Sequence, residues 1–111
     1  MTNMSAIEEL EQSLGTDGLS RFLESSIPLF RNNLAELLKA LEQQQWEEAA
    51  DIAHKMQASA LIFSTRGFND SLDNIRKQDK TLIETSAFKM YLIQQTKYSL
   101  QQICAKYQID I

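Results

Sequence analysis

The chain contains a single histidine, His54, within an apolar helical pattern that runs from Trp46 to Phe63. Apolar residues recur there every three or four positions, which predicts one buried stripe along a helix. At about 100° per residue, His54 falls roughly 120° from the centre of this stripe. Its imidazole is therefore expected to point outward, where a ring nitrogen can act as a nucleophile. An ordinary polar surface residue would occupy the same kind of position, so the neighbours of His54 decide between these interpretations.

The residues around His54 favour a docking surface. Ala58 lies one turn later on the same side of the helix, and Leu61 and Ile62 follow outside the buried stripe. An exposed imidazole in a shallow apolar patch is what a docking surface for phosphoryl transfer needs. Asp51, three residues before His54, can reach the ring from the preceding turn. It either orients the imidazole or forms an ordinary helical surface pair with it.

This segment resembles the phosphoacceptor helix of histidine-containing phosphotransfer (HPt) domains, the relay modules of bacterial multistep phosphorelays. In that family an alanine commonly precedes the histidine, an aliphatic residue follows two positions on, and small residues cluster four to six positions on. Ala53, Met56 and the run Ala58-Ser59-Ala60 match this pattern around His54. The likeness covers residues 16–105 in approximate terms.

Two positions depart from the family's pattern. The family usually has a lysine three residues after the histidine and a glycine four after it, where this chain has Gln57 and Ala58. Gln57 can donate a hydrogen bond to a phosphoryl group but carries no charge, and charge-assisted hydrogen bonds are roughly twice as strong. Lys55, on a neighbouring side of the helix, would partly substitute. Restoring the charge at position 57 with lysine is expected to speed phosphoryl acceptance.

The resemblance implies a phosphocarrier and not an enzyme, without a kinase or ATP site of its own. His54 would take a phosphoryl group from the aspartate of a receiver domain and relay it to another. The implied partners are response-regulator receiver domains and a hybrid sensor kinase, and the chain would act as a monomer. Mg²⁺ is expected on the partner receiver domain only, so no cofactor or metal is expected on this chain. The supporting residues would be Gln57 and Lys55, and the docking residues Asp51, Ala58, Leu61 and Ile62.

Two other functions stay open from the sequence. The chain could be an HPt-like module that binds and sequesters a receiver or kinase without accepting phosphate, which the neutral Gln57 favours. It could also be a plain helical adaptor in which His54 is incidental. A catalytic serine–histidine pair is disfavoured, because Ser59 lies five residues from His54 and so faces away from the ring on a helix.

Composition and charge bound the remaining possibilities. The length of 111 residues suits one domain, 1–111, with a modest core. The net charge of −4 and the lack of a basic stripe disfavour nucleic-acid binding. The sequence contains no run of about 18 apolar residues, so no membrane span is predicted. The N-terminus lacks signal-peptide features, which predicts a cytoplasmic protein. Cys104 is the single cysteine and is expected to pack in the core.

The predicted fold is all-α, an antiparallel up-down four-helix bundle with a short extra N-terminal helix. Few glycines and prolines interrupt the chain, and valine is absent, which favours helices over strands. The short helix runs to Leu14, and Gly15 ends it in a left-handed conformation. Pro28 is expected to kink the following helix without ending it. The four long helices are expected at residues 16–41, 46–63, 64–77 and 81–107 in approximate terms.

The last helix carries two specific expectations. Thr81 and Glu84 have the spacing of a capping box, which predicts that the helix begins there. Its buried face is expected to follow a seven-residue rhythm, with two apolar residues beside it. The rhythm comprises Ile93, Thr96, Leu100, Ile103 and Tyr107, and the flanking residues are Phe88 and Leu92.

Overall fold

Helices are the only regular elements in the part of the chain that the structure describes. The computed structural model describes the backbone of residues 4–63 and 66–107 and the side chains of residues 7–57 and 67–107. The helices are α1 (Met4–Glu42), α2 (Trp46–Phe63), α3 (Arg66–Arg76), α4 (Lys80–Ile83) and α5 (Ser86–Tyr107). The all-α prediction is confirmed, and α2 has the predicted bounds. Within the described ranges, no helix combines the length and apolar character needed to cross a membrane.

Gly15 divides α1 into two helical segments. A straight helix of 39 residues would be about 58 Å long, whereas the longest dimension of the molecule is 43 Å. The chain therefore changes direction within α1, and Gly15, with φ 75° and ψ 170°, has non-helical dihedral angles. The positive φ agrees with the prediction, but the extended ψ lies outside the left-handed helical region. The value of ψ differs because no loop follows Gly15, so this one residue makes the whole turn between the two segments of α1.

Gly15→Ala is expected to lower the free energy of unfolding by about 1–3 kcal/mol, because this combination of φ and ψ is essentially restricted to glycine. A Cβ at Gly15 would meet no atom within 4 Å, so the cost comes from the backbone alone. Urea denaturation followed by circular dichroism measures the change. Ser13→Ala, at an exposed position of the same segment, is the control and should stay within about 0.5 kcal/mol of wild type. Equal stability of both variants would contradict a turn at Gly15.

The buried side chains form one core to which all five helices contribute. Phe30 of α1 and Phe68 of α3 join the two helices, with ring centroids 5.7 Å apart. Helix α1 continues undivided through Pro28, and Ile27 and Phe30 on either side of it are both buried. Helix α3 contributes three fully buried residues to the core, namely Phe68, Leu72 and Ile75.

The first segment of α1 packs against the C-terminal end of α5. Ile7 is fully buried, and Leu10 is partly buried against the core. Glu8 and Lys106 form an exposed ion pair, with 3.6 Å between the carboxylate Oε1 and Nζ. The short segment is thus held by apolar burial, since an exposed pair of this kind contributes little. Packing of the C-terminal end of the last helix on the first segment also explains how α5 extends as far as Tyr107.

The start of the last helix differs from the prediction. Thr81 does not cap it, because Thr81 lies in the one-turn helix α4. The Thr81 hydroxyl donates a hydrogen bond at 2.9 Å to Oδ1 of Asp79, the residue before that helix. Thr85 caps α5 instead, because the backbone N–H of Phe88 donates to Thr85 Oγ1 at 3.1 Å. The capping box predicted at Thr81 and Glu84 is therefore wrong. The two threonines are four residues apart, and between them Ile83 of α4 is fully buried in the core.

The buried face of α5 differs from the predicted seven-residue rhythm at its first position, whereas Thr96, Leu100 and Ile103 are buried as predicted. Ile93 is 43% exposed, whereas Ser99 is fully buried. The buried residues recur at steps of three or four positions, apart from the adjacent pair Ser99 and Leu100, as expected for one face of a helix with 3.6 residues per turn. The rhythm was therefore assigned one residue too late at its start. The buried residues are Phe88, Leu92, Thr96, Ser99, Leu100 and Ile103.

Candidate functional site

His54 lies on the exposed side of α2. The opposite side of the helix is anchored by Ala49, Ala53 and Met56, which are all fully buried. Helix α2 contacts α1, α3 and α5, so it is held from several directions. Because Ala53 and Met56 flank His54 and are fixed in the core, the imidazole has a defined position on the outer surface. Its exposure agrees with the expectation from the apolar pattern.

The start of α2 is stabilised by local interactions. Glu47 and Glu48 lie in its first turn, where carboxylates interact favourably with the positive end of the helix dipole. The Ala49 N–H donates to the carbonyl oxygen of Gln45 at 2.9 Å, which ties the first turn to the preceding connection. This connection includes Gln44 with a φ of 59°. The well-defined start places Glu47 on the same surface as His54.

An open pocket of about 380 Å³ surrounds the exposed face of His54. Helix α2 contributes Glu47, Ala50, Asp51 and His54 to its lining, and the end of α3 and the following turn contribute the rest. The small side chain of Ala50 leaves room beside the ring. Two carboxylates and one guanidinium thus line the same pocket as the imidazole. The residues from α3 and the turn are Arg76 and Gln78.

Gln57 links Arg76 to helix α2. Arg76 Nη1 donates a hydrogen bond to Gln57 Oε1 at 2.6 Å. The amide group of the same glutamine donates through Nε2 to Asp73 Oδ1 at 3.3 Å. Arg76 and Asp73 also form an ion pair along α3, with 3.9 Å between Nη1 and Oδ1. Gln57 therefore contacts both members of the pair and holds the guanidinium against the side of α2 that carries the histidine.

The network also defines the direction of α3 relative to α2. Moving from Gln57 back to His54 along α2 corresponds to moving from Asp73 forward to Arg76 along α3. The two helices are therefore antiparallel. His54 and Arg76 each lie 11 residues from Thr65 in the sequence, and Gln57 and Asp73 each lie 8 residues from it. In two antiparallel helices, residues equally far from the connection lie at the same height. Arg76, which was not predicted, could have been identified in this way.

The structure brings only part of the predicted site together. Asp51 lines the pocket with His54, but no hydrogen bond or ion pair joins these two described side chains. Lys55 is exposed and is not part of the pocket lining. Gln57 is half-buried and contacts Arg76 and Asp73. Three of the four predicted docking residues have side chains outside the described ones, namely Ala58, Leu61 and Ile62.

The Arg76 guanidinium is held only weakly by its acidic neighbour. The side chains of Arg76 and Asp73 are 43% and 52% exposed. Solvent-exposed ion pairs of this kind contribute about 0–1 kcal/mol, because water screens the charges and both side chains lose freedom. A dianionic group entering the pocket would therefore compete well for the guanidinium.

Cys104 does not form a second reactive site. It is partly buried and packs against the core, as predicted. Burial raises the pKa of the Cys104 thiol, and the nearby Arg31 guanidinium offsets part of this rise. The thiolate is the nucleophilic form of cysteine, and a raised pKa reduces its population at neutral pH.

No cluster of three His, Cys, Asp or Glu side chains suited to a metal ion occurs among the described residues. Comparisons with protein-family models, curated proteins and solved structures found no match to this chain. The function is therefore inferred from the residues of the site and their geometry.

Proposed function

We propose that this protein is a histidine phosphotransfer protein that relays a phosphoryl group between receiver-domain aspartates in a two-component phosphorelay. The observation that carries the proposal is the exposed His54 in a pocket that also contains the Arg76 guanidinium. A nucleophilic ring and a cation at the same open surface suit the acceptance of a phosphoryl group from another protein. The resemblance of residues 53–60 to the HPt phosphoacceptor helix supports the same function.

The chemical step is an in-line displacement at phosphorus. The lone pair of a neutral His54 ring nitrogen forms the P–N bond while the bond from phosphorus to the aspartyl oxygen of the receiver breaks. The electron pair of that bond stays on the oxygen, which leaves as the receiver's carboxylate. The reverse displacement passes the group to another receiver. Mg²⁺ bound by the receiver would stabilise charge on the phosphoryl oxygens, and this chain supplies the nucleophile and its position.

The protein's surface around His54 would bind the receiver domain. Asp51 and the apolar residues Ala58, Leu61 and Ile62 form the proposed docking surface, because they share the exposed side of the predicted helix pattern with the histidine. A small side chain at Ala58 permits close approach one turn from the ring. The hybrid sensor kinase that begins such a relay would be a further partner.

Ala58→Trp is expected to weaken receiver binding by about 10-fold or more, because a large ring one turn from His54 obstructs the approaching surface. Helicity should be unchanged, since the 100° spacing of helical residues predicts that position 58 lies opposite the apolar stripe. Isothermal titration calorimetry against the receiver measures the affinity, with circular dichroism as the control for folding. Normal affinity would show that the docking surface lies elsewhere.

We also propose an antiparallel up-down arrangement of the long helices, with the chain acting as a monomer in the cytoplasm. The helix contacts support it, because helices α1, α2, α3 and α5 contact one another in this order, α5 also contacts α1, and α2 and α5 contact each other across the bundle. A four-helix bundle produces this pattern of neighbours. In such a bundle the short segment before Gly15 packs against one end.

Sequestration of a receiver or kinase without phosphate acceptance is the second candidate. The neutral Gln57 favours it, since a glutamine at this position adds no charge to the site. The two candidates share the docking surface and differ in whether a covalent bond forms at His54. A measurement of both binding and covalent transfer separates them.

The decisive experiment incubates the wild-type chain with a panel of ³²P-phosphorylated receiver domains and measures receiver binding in parallel. Relay predicts that label moves to this chain and is acid-labile and base-stable, as expected for phosphohistidine. Binding without label would favour sequestration. Neither label nor binding with any receiver in the panel would overturn both candidates in favour of a plain helical adaptor.

A further inference from the structure

We propose that Arg76 is the cation that stabilises the phosphoryl group on His54, and that Gln57 acts as its positioning residue. In this arrangement the charge comes from α3 and not from α2. The inference rests on the proposed phosphotransfer function and deepens it. The observation behind it is that Arg76 lines the pocket of His54. The guanidinium is oriented there by the hydrogen bond that it donates to Gln57.

The charges of the pocket require such a cation. Glu47 and Asp51 line it together with His54, and a phosphoryl group adds a further charge of about −1.5 to −2 at pH 7. Like charges in one pocket disfavour the phosphorylated state. Among the described residues of the lining, Arg76 is the one cation. Without it, the phosphoryl group would be added to a pocket of uniformly negative charge.

Gln57 is suited to the role of holding an arginine. Its Oε1 accepts from Arg76 Nη1 at 2.6 Å, while its Nε2 donates to Asp73 at 3.3 Å. A lysine at position 57 could not accept a hydrogen bond and would repel the guanidinium. The neutral glutamine therefore does not leave the site without charge; it allows the charge to be supplied by the neighbouring helix.

Arg76 is also free enough to change partners. Its ion pair with Asp73 is long, at 3.9 Å, and the arginine side chain is 43% exposed. A guanidinium presents several donors in a planar fork that matches phosphate oxygens. Bonds to a dianion are stronger than the bond to the neutral Gln57 oxygen, so phosphorylation would draw the guanidinium toward His54.

The test compares initial rates of phosphoryl acceptance from one phosphorylated receiver. Arg76→Gln is expected to lower the rate by about 10- to 100-fold, the factor that corresponds to loss of one charge-assisted hydrogen bond. Lys77→Gln removes the same charge from the adjacent exposed position, which lies outside the pocket lining. It should stay within about twofold of wild type, because screened surface charges interact weakly at a distance. Equal effects of the two variants would overturn the role of Arg76.

Gln57→Lys provides the rescue. In the Arg76→Gln background it is expected to restore most of the rate, because a lysine on α2 replaces the missing cation. In the wild-type background it should change the rate much less, because the new lysine repels the guanidinium that Gln57 positions and so replaces one cation by another. This non-additivity is the signature of two residues that serve one group. Equal rate gains in both backgrounds would show that Arg76 and position 57 act independently.

A second measurement does not depend on any receiver. Potassium phosphoramidate is used to phosphorylate the histidine directly, and the ³¹P chemical shift of the product is followed as a function of pH. Arg76→Gln is expected to raise the midpoint of this titration, because a nearby cation favours the dianion. A purely structural role of Arg76 would not move it, and an unchanged midpoint would overturn the inference. Phosphoramidate labelling with the expected shift, but no transfer from any receiver, would leave the inference standing and remove the relay function.

Discussion

His54→Gln is expected to abolish acid-labile phosphoryl acceptance while the chain stays folded and still binds its receiver. Glutamine retains a polar side chain of similar reach but has no ring nitrogen that can form the P–N bond. His54 is exposed, so the replacement should change the free energy of unfolding by no more than about 0.5 kcal/mol. Transfer from a ³²P-phosphorylated receiver gives the covalent readout, and calorimetry gives the binding readout.

The sequence makes this experiment unusually clear, because His54 is the single histidine of the chain. Label that persisted on the variant with phosphohistidine stability could not come from another imidazole, and would contradict His54 as the acceptor. Lys55→Gln serves as the matched control at the adjacent exposed position. It removes a charge next to the histidine but keeps the nucleophile, and it should still accept label.

Leu37→Ala is expected to lower the free energy of unfolding by about 2–5 kcal/mol, as large-to-small replacements in well-packed cores do. Leu37 is fully buried in the second segment of α1, which packs against α2. The loss combines removal of apolar contacts with the cavity that remains. Since small domains have a total stability of about 5–15 kcal/mol, this one change would remove a large part of it. Urea denaturation at 25 °C measures the effect.

Leu29→Ala provides the matched control for this prediction. It makes the same chemical change in the same helix, but Leu29 is 61% exposed. The change in helix propensity is therefore common to both variants and only burial differs. Leu29→Ala should stay within about 0.5 kcal/mol of wild type. Similar losses at the two positions would mean that α1 is not packed through Leu37.

The helical elements could be predicted because their signals are local. The apolar stripe predicted α2 from Trp46 to Phe63, and the structure has the same bounds. Gly15 was recognised as the break in α1, because a positive φ is a property of the residue itself. The start of α5 was misassigned because Thr81 has a glutamate three residues later, as in a capping box, whereas the threonine that caps the helix, Thr85, has Phe88 at that position.

The histidine and the neutral Gln57 were identified from the sequence, but the surroundings of His54 were not. Lys55, its sequence neighbour, was expected to support the phosphate, yet it is not part of the pocket lining. Arg76, 22 residues away in the sequence, is part of it. Adjacent residues on a helix point about 100° apart, whereas residues on facing helices can share one pocket.

The amino-acid sequence alone determined the helical class, the bounds of α2 and the outward position of His54. These features follow from periodicity and from the preferences of single residues, which act over one or two helical turns. Tertiary structure decided which charges reach the imidazole. That choice depends on the antiparallel packing of α3 against α2, which places Arg76 opposite the histidine and lets Gln57 hold it. Contacts between helices come from the packing of whole faces, and no single local signal specifies them.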